Sequence, residues 1–531
     1  MSNIKVLDCT LRDGGYINNW NFGFGNSRKI ISELCRSKIE YIEVGFLKDG
    51  NYPKDETLFN TIDEINDLVP DDRTSEIVAM IVYGQFDIKK ITPKISNTKL
   101  EAIRVTFKKN EIETVFDYLE KIKNCGYQLF VNPTNIESYT DSELIDLIEK
   151  VNKLRPYGFS IVDTNGVLKE NDLLRIYYLV NHNLDTDIAL CFHSHNNLQL
   201  SFSNAQLLMK TCYKKELIID STVFGMGRGA GNLCTELLTG YINDNYFGKY
   251  NIIPILKIID EYINPIFAKI PWGYSVPYYL AAINHCHPNY AKYLVDKQTV
   301  SVENINLLLN SIPTEKKSIY NQDLIKQIYL DKYTNTIDDS KTVERIKNIL
   351  SDKNILLLAP GKSLIKEYDK INKFIAKNNP YIISLNFAPD NFKEDMIFVT
   401  NSKRFCNLVN NNSLLVITSN IGGFDITNNI LNYSSYINNT KEFDNTVLML
   451  LNLFTKIGIK EVNIAGLDGF SSNAAENYAS EILLNTTNYK ELIKKNAIIY
   501  EQIKIFEKNI KIRFITKSLY CDYPKENKIL L

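Results

Sequence analysis

Through the first half of the chain, short dense runs of apolar residues give way to longer stretches with apolar positions at helical spacing. The dense runs are IKVLDCT from Ile4, YIEVGF from Tyr41, EIVAMIV from Glu76, EAIRVTF from Glu101, YQLFVNP from Tyr127, YGFSIVDT from Tyr157, DIALCFHSH from Asp187 and ELIIDSTVFG from Glu216. Their length and β-rich content predict strands. Segments between them, such as SRKIISELCRSK and ETVFDYLEKIKNCG, predict helices that stop at glycine or a polar cluster. Eight strands alternating with helices over roughly 240 residues match the size of a (β/α)8 TIM barrel. A doubly wound open sheet is the alternative, and the count of eight favours the barrel.

The strand signal fades after Ile252. IIPILKIIDEYINPIFAKI and VENINLLLNSI predict helices, and residues 249–340 read as a helical extension of a barrel domain spanning 1–248. The polar segment YTNTIDDSKTVERIKNILSDKN contains a domain boundary. Alternation resumes with NILLLAP, YIISLNF, MIFVT, LLVITS, EVNIAGL and KIRFIT, so residues 350–531 predict a Rossmann-like α/β domain.

A chain of 531 residues with 44% hydrophobic content can bury more than one core. Lys+Arg 61 against Asp+Glu 62 leaves a net charge of -1, which gives no electrostatic reason to expect a nucleic-acid partner. The 9 cysteines are scattered without a CxxC pair, as expected of reduced cytosolic thiols. No apolar leader opens the sequence and no uncharged run reaches the length of a membrane span, so the expectation is a soluble cytoplasmic protein.

Only 5 histidines occur, and His193 and His195 stand one residue apart at the end of the seventh strand. In an extended strand both imidazoles face one side, and barrel enzymes carry their chemistry at that strand end. Two imidazoles make half a site for a divalent metal. The plainer reading is two polar residues bonding neighbouring loops. Asp13, in VLDCTLRDGGY at the end of the first strand, would complete a facial set of one carboxylate and two imidazoles, with Arg12 supplying fixed positive charge. The plainer readings are a turn residue ahead of two glycines and a solvated charge. A second pair, His285 and His287 in NHCHPNY, lies in a helical region and reads as capping or packing, and His182 reads as a loop residue.

TLRDGGY, IEVGF, HSHNN and GMGRGAGNLCTELL, in that order at four strand ends, resemble the DRE-TIM metallolyases, a superfamily that includes 4-hydroxy-2-oxovalerate aldolase, hydroxymethylglutaryl-CoA lyase and isopropylmalate synthase. The resemblance covers about Met1 to Leu238 and is strongest to the aldolase branch. It implies that Asp13, His193 and His195 bind Mn²⁺ or Mg²⁺, that Arg12 stabilises an enolate oxygen, and that Glu43 orients Arg12 or a metal-bound water. It also implies that Asn232 ligates or approaches the metal. The pattern departs at Tyr16, where the aldolases carry His and the condensing synthases Gln. A phenol is a poor base unless a neighbouring cation lowers it. Tyr274, in WGYSVPYYL, is a second catalytic candidate.

Gly361, Lys362 and Ser363 follow a strand but lack the glycine spacing of a phosphate loop. Their segment, with ISLNF, MIFVTNSKRF and IGIKEVNIAGLDGF, is similar to Rossmann-like domains of sialyltransferase-like proteins and 6-hydroxymethylpterin diphosphokinases. That similarity implies a nucleotide or nucleotide-linked sugar near Gly361, Lys362, Ser363 and Asp468. The expected activity is a metal-dependent aldolase or lyase acting through the enolate of pyruvate or another 2-oxo acid. The acceptor would be a sugar-derived aldehyde in surface-polysaccharide synthesis, and the assembly a homodimer. The alternatives are an acyl-CoA condensing synthase or lyase, a binding protein, and a C-terminal glycosyl or pyrophosphoryl transferase.

Overall fold

The computed structural model describes residues 3–212, 216–297, 299–333, 336–405, 408, 413–421, 427–437, 444–471, 473, 476–480 and 489–521. The first sheet contains β1 (Ile4–Asp8), β2 (Tyr41–Leu47), β3 (Leu58–Phe59), β4 (Glu76–Val82), β5 (Leu100–Phe107), β6 (Gln128–Pro133), β7 (Gly158–Asp163), β8 (Ala189–Ser194) and β9 (Leu217–Ser221). β1 pairs in parallel with both β9 and β2, which closes eight of these strands into a barrel. The eight sequence-predicted strands are those eight. The two-residue β3, which the sequence reading missed, adds to the edge of β2.

The strands read as near-continuous apolar runs because both faces are covered: β2 is buried at every position. Gly45 lets β3 approach β2, since a Cβ there would sit 2.0 Å from the Thr57 carbonyl oxygen. The surrounding helices are set by local signals. Asp141–Leu154 starts at a capping box in which Thr140 and Glu143 satisfy each other's amides, and buries Leu144, Leu147, Ile148 and Val151 against the barrel.

The second sheet is all parallel, in the order β14-β13-β12-β11-β10-β15-β16. Its strands are β10 (Ile355–Leu358), β11 (Tyr381–Leu385), β12 (Met396–Val399), β13 (Leu414–Thr418), β14 (Ile430–Leu431), β15 (Glu461–Ala465) and β16 (Lys511–Phe514). The chain runs outward from β10 to β14 and then returns to β15, so the switch point of this doubly wound sheet lies between β10 and β15. All six predicted C-terminal strands are present, and β14 is additional.

The chain divides into two compact units, Met1–Ala291 with Pro313–Tyr320, and Lys292–Ile312 with Asn321–Leu531. Residues 249–340, expected as one helical extension, are therefore shared between the units. Among the described residues no helix is long and apolar enough to cross a membrane. Among the described residues eight cysteines carry thiols and are in no disulfide. The ninth, Cys406, lies outside the described residues.

Candidate metal centre

Strand alternation sorts the barrel interior into layers. Tyr41, Ala102, Cys191 and Ile218 belong to an interior apolar cluster with Leu7, Cys9, Val78 and Phe130. Two residues further along the same strands stand Glu43, Arg104, His193 and Asp220, all buried. The chemistry thus sits one layer toward the carboxyl ends of the strands.

Asp13 and Arg12 enter from a single helical turn, Thr10–Asp13, directly after β1. The Arg12 Nε donates to Glu43 Oε2 at 2.6 Å and its Nη1 to Asp13 Oδ1 at 2.8 Å. The other Asp13 oxygen, Oδ2, lies 3.7 Å from His193 Nε2 and 4.0 Å from His195 Nε2. It accepts from Asn232 Nδ2 at 2.6 Å. Burial alone would raise the Asp13 carboxyl, but Arg12 and then the two imidazoles hold it well below the usual carboxylate range. Burial pushes His195 down to about 3, so it presents a neutral imidazole.

Asp220 Oδ2 accepts from His193 Nδ1 at 3.0 Å. With its proton fixed there, His193 turns the Nε2 lone pair toward Asp13, as metal-ligating histidines do. Asp220 is in turn paired with Arg104, whose Nη1 lies 3.4 Å from Glu43 Oε1. Asp13, His193 and His195 form a group able to share one cation, as do Cys9, His193 and Asp220. The second trio is the weaker one. Its histidine nitrogen is engaged by Asp220, and burial pushes the Cys9 thiol up, where it donates to the Ser221 carbonyl at 3.3 Å.

A divalent cation fits the first trio on a further ground. Among the described residues the buried Asn232 Oδ1 has no hydrogen-bond partner, which is costly for an amide oxygen unless a ligand takes it.

Tyr16 is 40% exposed at this mouth, its ring 4.8 Å from Trp20. Burial raises its phenol in spite of Arg228 and Arg12, so the lowering that would make it a base does not occur. Tyr274 is 57% exposed and its ring contact is with Tyr279. In the second unit, Asp468 Oδ2 accepts from the Ser363 amide at 2.7 Å, and the Ser363 hydroxyl bonds both Asp468 and Thr516. The Gly361 amide is taken by the Gly466 carbonyl at 2.8 Å. A carboxylate of the chain itself therefore stands where a phosphate at Gly361, Lys362 and Ser363 would sit.

The sequence reading passed over Asp220, Arg104 and Arg228, and gave His287 a capping or packing role, which its ring fills by accepting from the Asn289 amide at the start of Pro288–Asp296. The first two carried a signal, since each is a charged residue at an inward position of a barrel strand, where burial demands a partner. His287 is not in a helix: the chain turns between Val276–Ile283 and Pro288–Asp296, and the electrostatic reach of His287 extends to His195 and Arg228.

Residues 3–245 match the HMGL-like family. The chain is 23% identical over 279 residues to an oxaloacetate decarboxylase of Mycobacterium tuberculosis (strain ATCC 25618 / H37Rv), covering 51% of this chain and 79% of that one. It is 24% identical over 268 residues to a 4-hydroxy-2-oxovalerate aldolase of Geobacillus genomosp. 3, covering 49% and 76%. Among solved structures it is similar to the N-terminal domain of a putative aldolase from Bacteroides vulgatus, with 26% identity, TM-score 0.48, and coverage of 57% of this chain and 98% of that one. Candidate metal-coordinating clusters at the strand ends of such a barrel are the equipment of a metal-dependent lyase-type enzyme.

Proposed function

We propose that the barrel makes or breaks a carbon–carbon bond through the enolate of pyruvate or another 2-oxo acid. The observation that carries this reading is the fork of Arg12, buried between Glu43 and the Asp13 of the Asp13–His193–His195 trio. When bound by the trio with Asn232, a divalent cation, Mn²⁺ or Mg²⁺, supplies Lewis-acid stabilisation of negative charge on a carbonyl oxygen. Arg12 adds a fixed positive charge that needs no reorganisation as the enolate forms. Glu43 holds that guanidinium in place, and Asp220 holds the His193 tautomer. Tyr16 keeps its proton and serves as a donor.

The test is exchange of pyruvate methyl protons into D2O, followed by NMR with added metal, for wild type and Asp13→Ala. Exchange that requires both metal and Asp13 supports an enolising site. Metal-replete wild type that exchanges no protons sinks the reading for pyruvate. Oxaloacetate decarboxylation is a second reading, favoured by the similarity to an oxaloacetate decarboxylase, and it passes through the same enolate. Turnover of oxaloacetate without condensation onto any aldehyde would select it. Release of free thiol from acetyl-CoA would select a condensing synthase instead.

For the second unit we propose a nucleotide-linked sugar ligand, which would tie the barrel's acceptor to surface-polysaccharide synthesis. Support comes from a cavity of about 360 Å³ near the strand ends, lined by Asn386, Phe387, Asp390, Phe392 and Arg404 among others. Equilibrium binding of CDP, CMP and UDP sugars to the full chain tests it, and no binding to any of them removes its support.

A further inference from the structure

The loop after β9 is pinned on both sides of Arg228. A Cβ at Gly227 would sit 2.3 Å from the Asn232 amide nitrogen, and one at Gly229 2.9 Å from Asn197 Oδ1. Gly229 has φ +70, a conformation that side chains other than glycine adopt at a cost. The Ala230 amide donates to Asn197 Oδ1 at 3.0 Å. Two glycines that permit close backbone approach thus hold a single long cationic side chain between them, four residues before Asn232.

Arg228 has an unusual set of neighbours for a half-buried guanidinium. Its Cζ stands 5.1 Å from the Tyr16 ring centroid. No carboxylate is paired with it among the described residues, whereas Arg12 and Arg104 at the same mouth each hold two. Its charge acts on Asp13, Tyr16, His195 and His287. Tyr16 supplies a phenol against the same guanidinium. A cation with no carboxylate paired to it and a neighbouring hydroxyl donor make a receptor for an oxyanion.

We propose that Arg228 and Tyr16 form an anion subsite for the acceptor, and that the carbonyl acceptor of the barrel carries a carboxylate or a phosphate. This rests on the enolate reading above: the donor 2-oxo acid is assigned to the trio and Arg12, which leaves the Arg228 side of the mouth for the second substrate. An anionic aldehyde anchored there would have its carbonyl carbon presented to the enolate. A neutral aldehyde would have no such anchor.

The experiment compares condensation of pyruvate with glyoxylate, with glycolaldehyde phosphate and with neutral acetaldehyde, in wild type, Arg228→Gln and Arg228→Lys of the full chain. In wild type, kcat/KM for one anionic aldehyde should exceed that for acetaldehyde by about 10- to 100-fold, the range of a charge-assisted contact. Arg228→Gln should remove most of that ratio and Arg228→Lys should restore part of it. Whichever anionic aldehyde shows the preference identifies the group. A ratio unchanged by Arg228→Gln overturns the subsite. So does a rise in the KM for pyruvate with the ratio intact, since it would assign Arg228 to the donor. Calorimetric binding of glyoxylate and glycolaldehyde phosphate without pyruvate separates the two readings. Binding that weakens about tenfold or more in Arg228→Gln upholds the subsite even if pyruvate exchanges no protons and the enolate reading fails. No binding of either anion, with pyruvate exchange intact, overturns the subsite alone.

Discussion

The two sheets of this protein treat the carboxyl ends of their strands in opposite ways. In the barrel, among the described residues, Asn232 Oδ1 has no hydrogen-bond partner and Arg228 has no paired carboxylate. At the switch point of the second sheet the amides of Gly361 and Ser363 are satisfied by Gly466 and Asp468, and Ser363 is further tied to Thr516. Both places are where parallel sheets bind ligands. A strand end becomes a candidate site when its own groups leave hydrogen bonds and charge for something else to complete.

Several measurements can break or sharpen that contrast. The largest effect is expected at Arg12. Arg12→Ala should lower kcat of the barrel reaction by about 10²–10³, the loss seen when one donor to a developing oxyanion is removed, and Arg12→Lys should recover little because one ammonium cannot span both Glu43 and Asp13. Steady-state kinetics on the metal-loaded enzyme decides it. Asp220→Asn comes next. It should weaken metal binding by about 10- to 100-fold through His193, and cost about 3 kcal/mol of stability because buried Arg104 loses its nearer partner. Metal titration and urea unfolding read the two effects separately.

A smaller effect is expected at the switch point. Asp468→Ala should cost about 1–3 kcal/mol of stability, since the Ser363 amide and hydroxyl lose their acceptor. It should leave proton exchange by the barrel unaltered. A loss of exchange in Asp468→Ala would erase the distinction between a closed strand end and an open one.

The smallest effect is a slope. Burial, with Glu137 nearby, raises Asp163, and burial raises Glu137. A carboxyl whose folded value lies above its unfolded one binds more protons in the folded state, so its stability contribution is complete at low pH and declines as pH rises through the folded value. Asp163→Asn should therefore flatten the fall of unfolding free energy between the ordinary carboxylate range and about pH 8. An unchanged slope would count against Asp163 staying protonated in the fold.

What the sequence made legible follows from periodicity. The eight barrel strands are apolar runs with one repeat, and His193 and His195 share a face because a strand repeats every two residues. Asp13 was readable from its place at a strand end. What stayed hidden depends on chain reversals and on pairing across the barrel. His287 looked helical in pattern, yet His285 adopts φ 54 and the chain turns there, which puts His287 at the start of the next helix instead. The partner of Arg104 lies 116 residues away, and no local pattern records that distance. Asp468 reads as a loop former between glycines until β10 and β15 are seen to be neighbours.

The candidate ligands are also distributed unevenly around the ring. Asp13 follows β1, His193 and His195 stand at the end of β8, and Asn232 follows β9, so the donor set straddles the seam where the first strand meets the last. The carboxylate joins the imidazoles only when the ring closes. A cation held by that set would therefore draw the open chain toward closure by mass action, and would tighten the joint between the two ends of the barrel sequence.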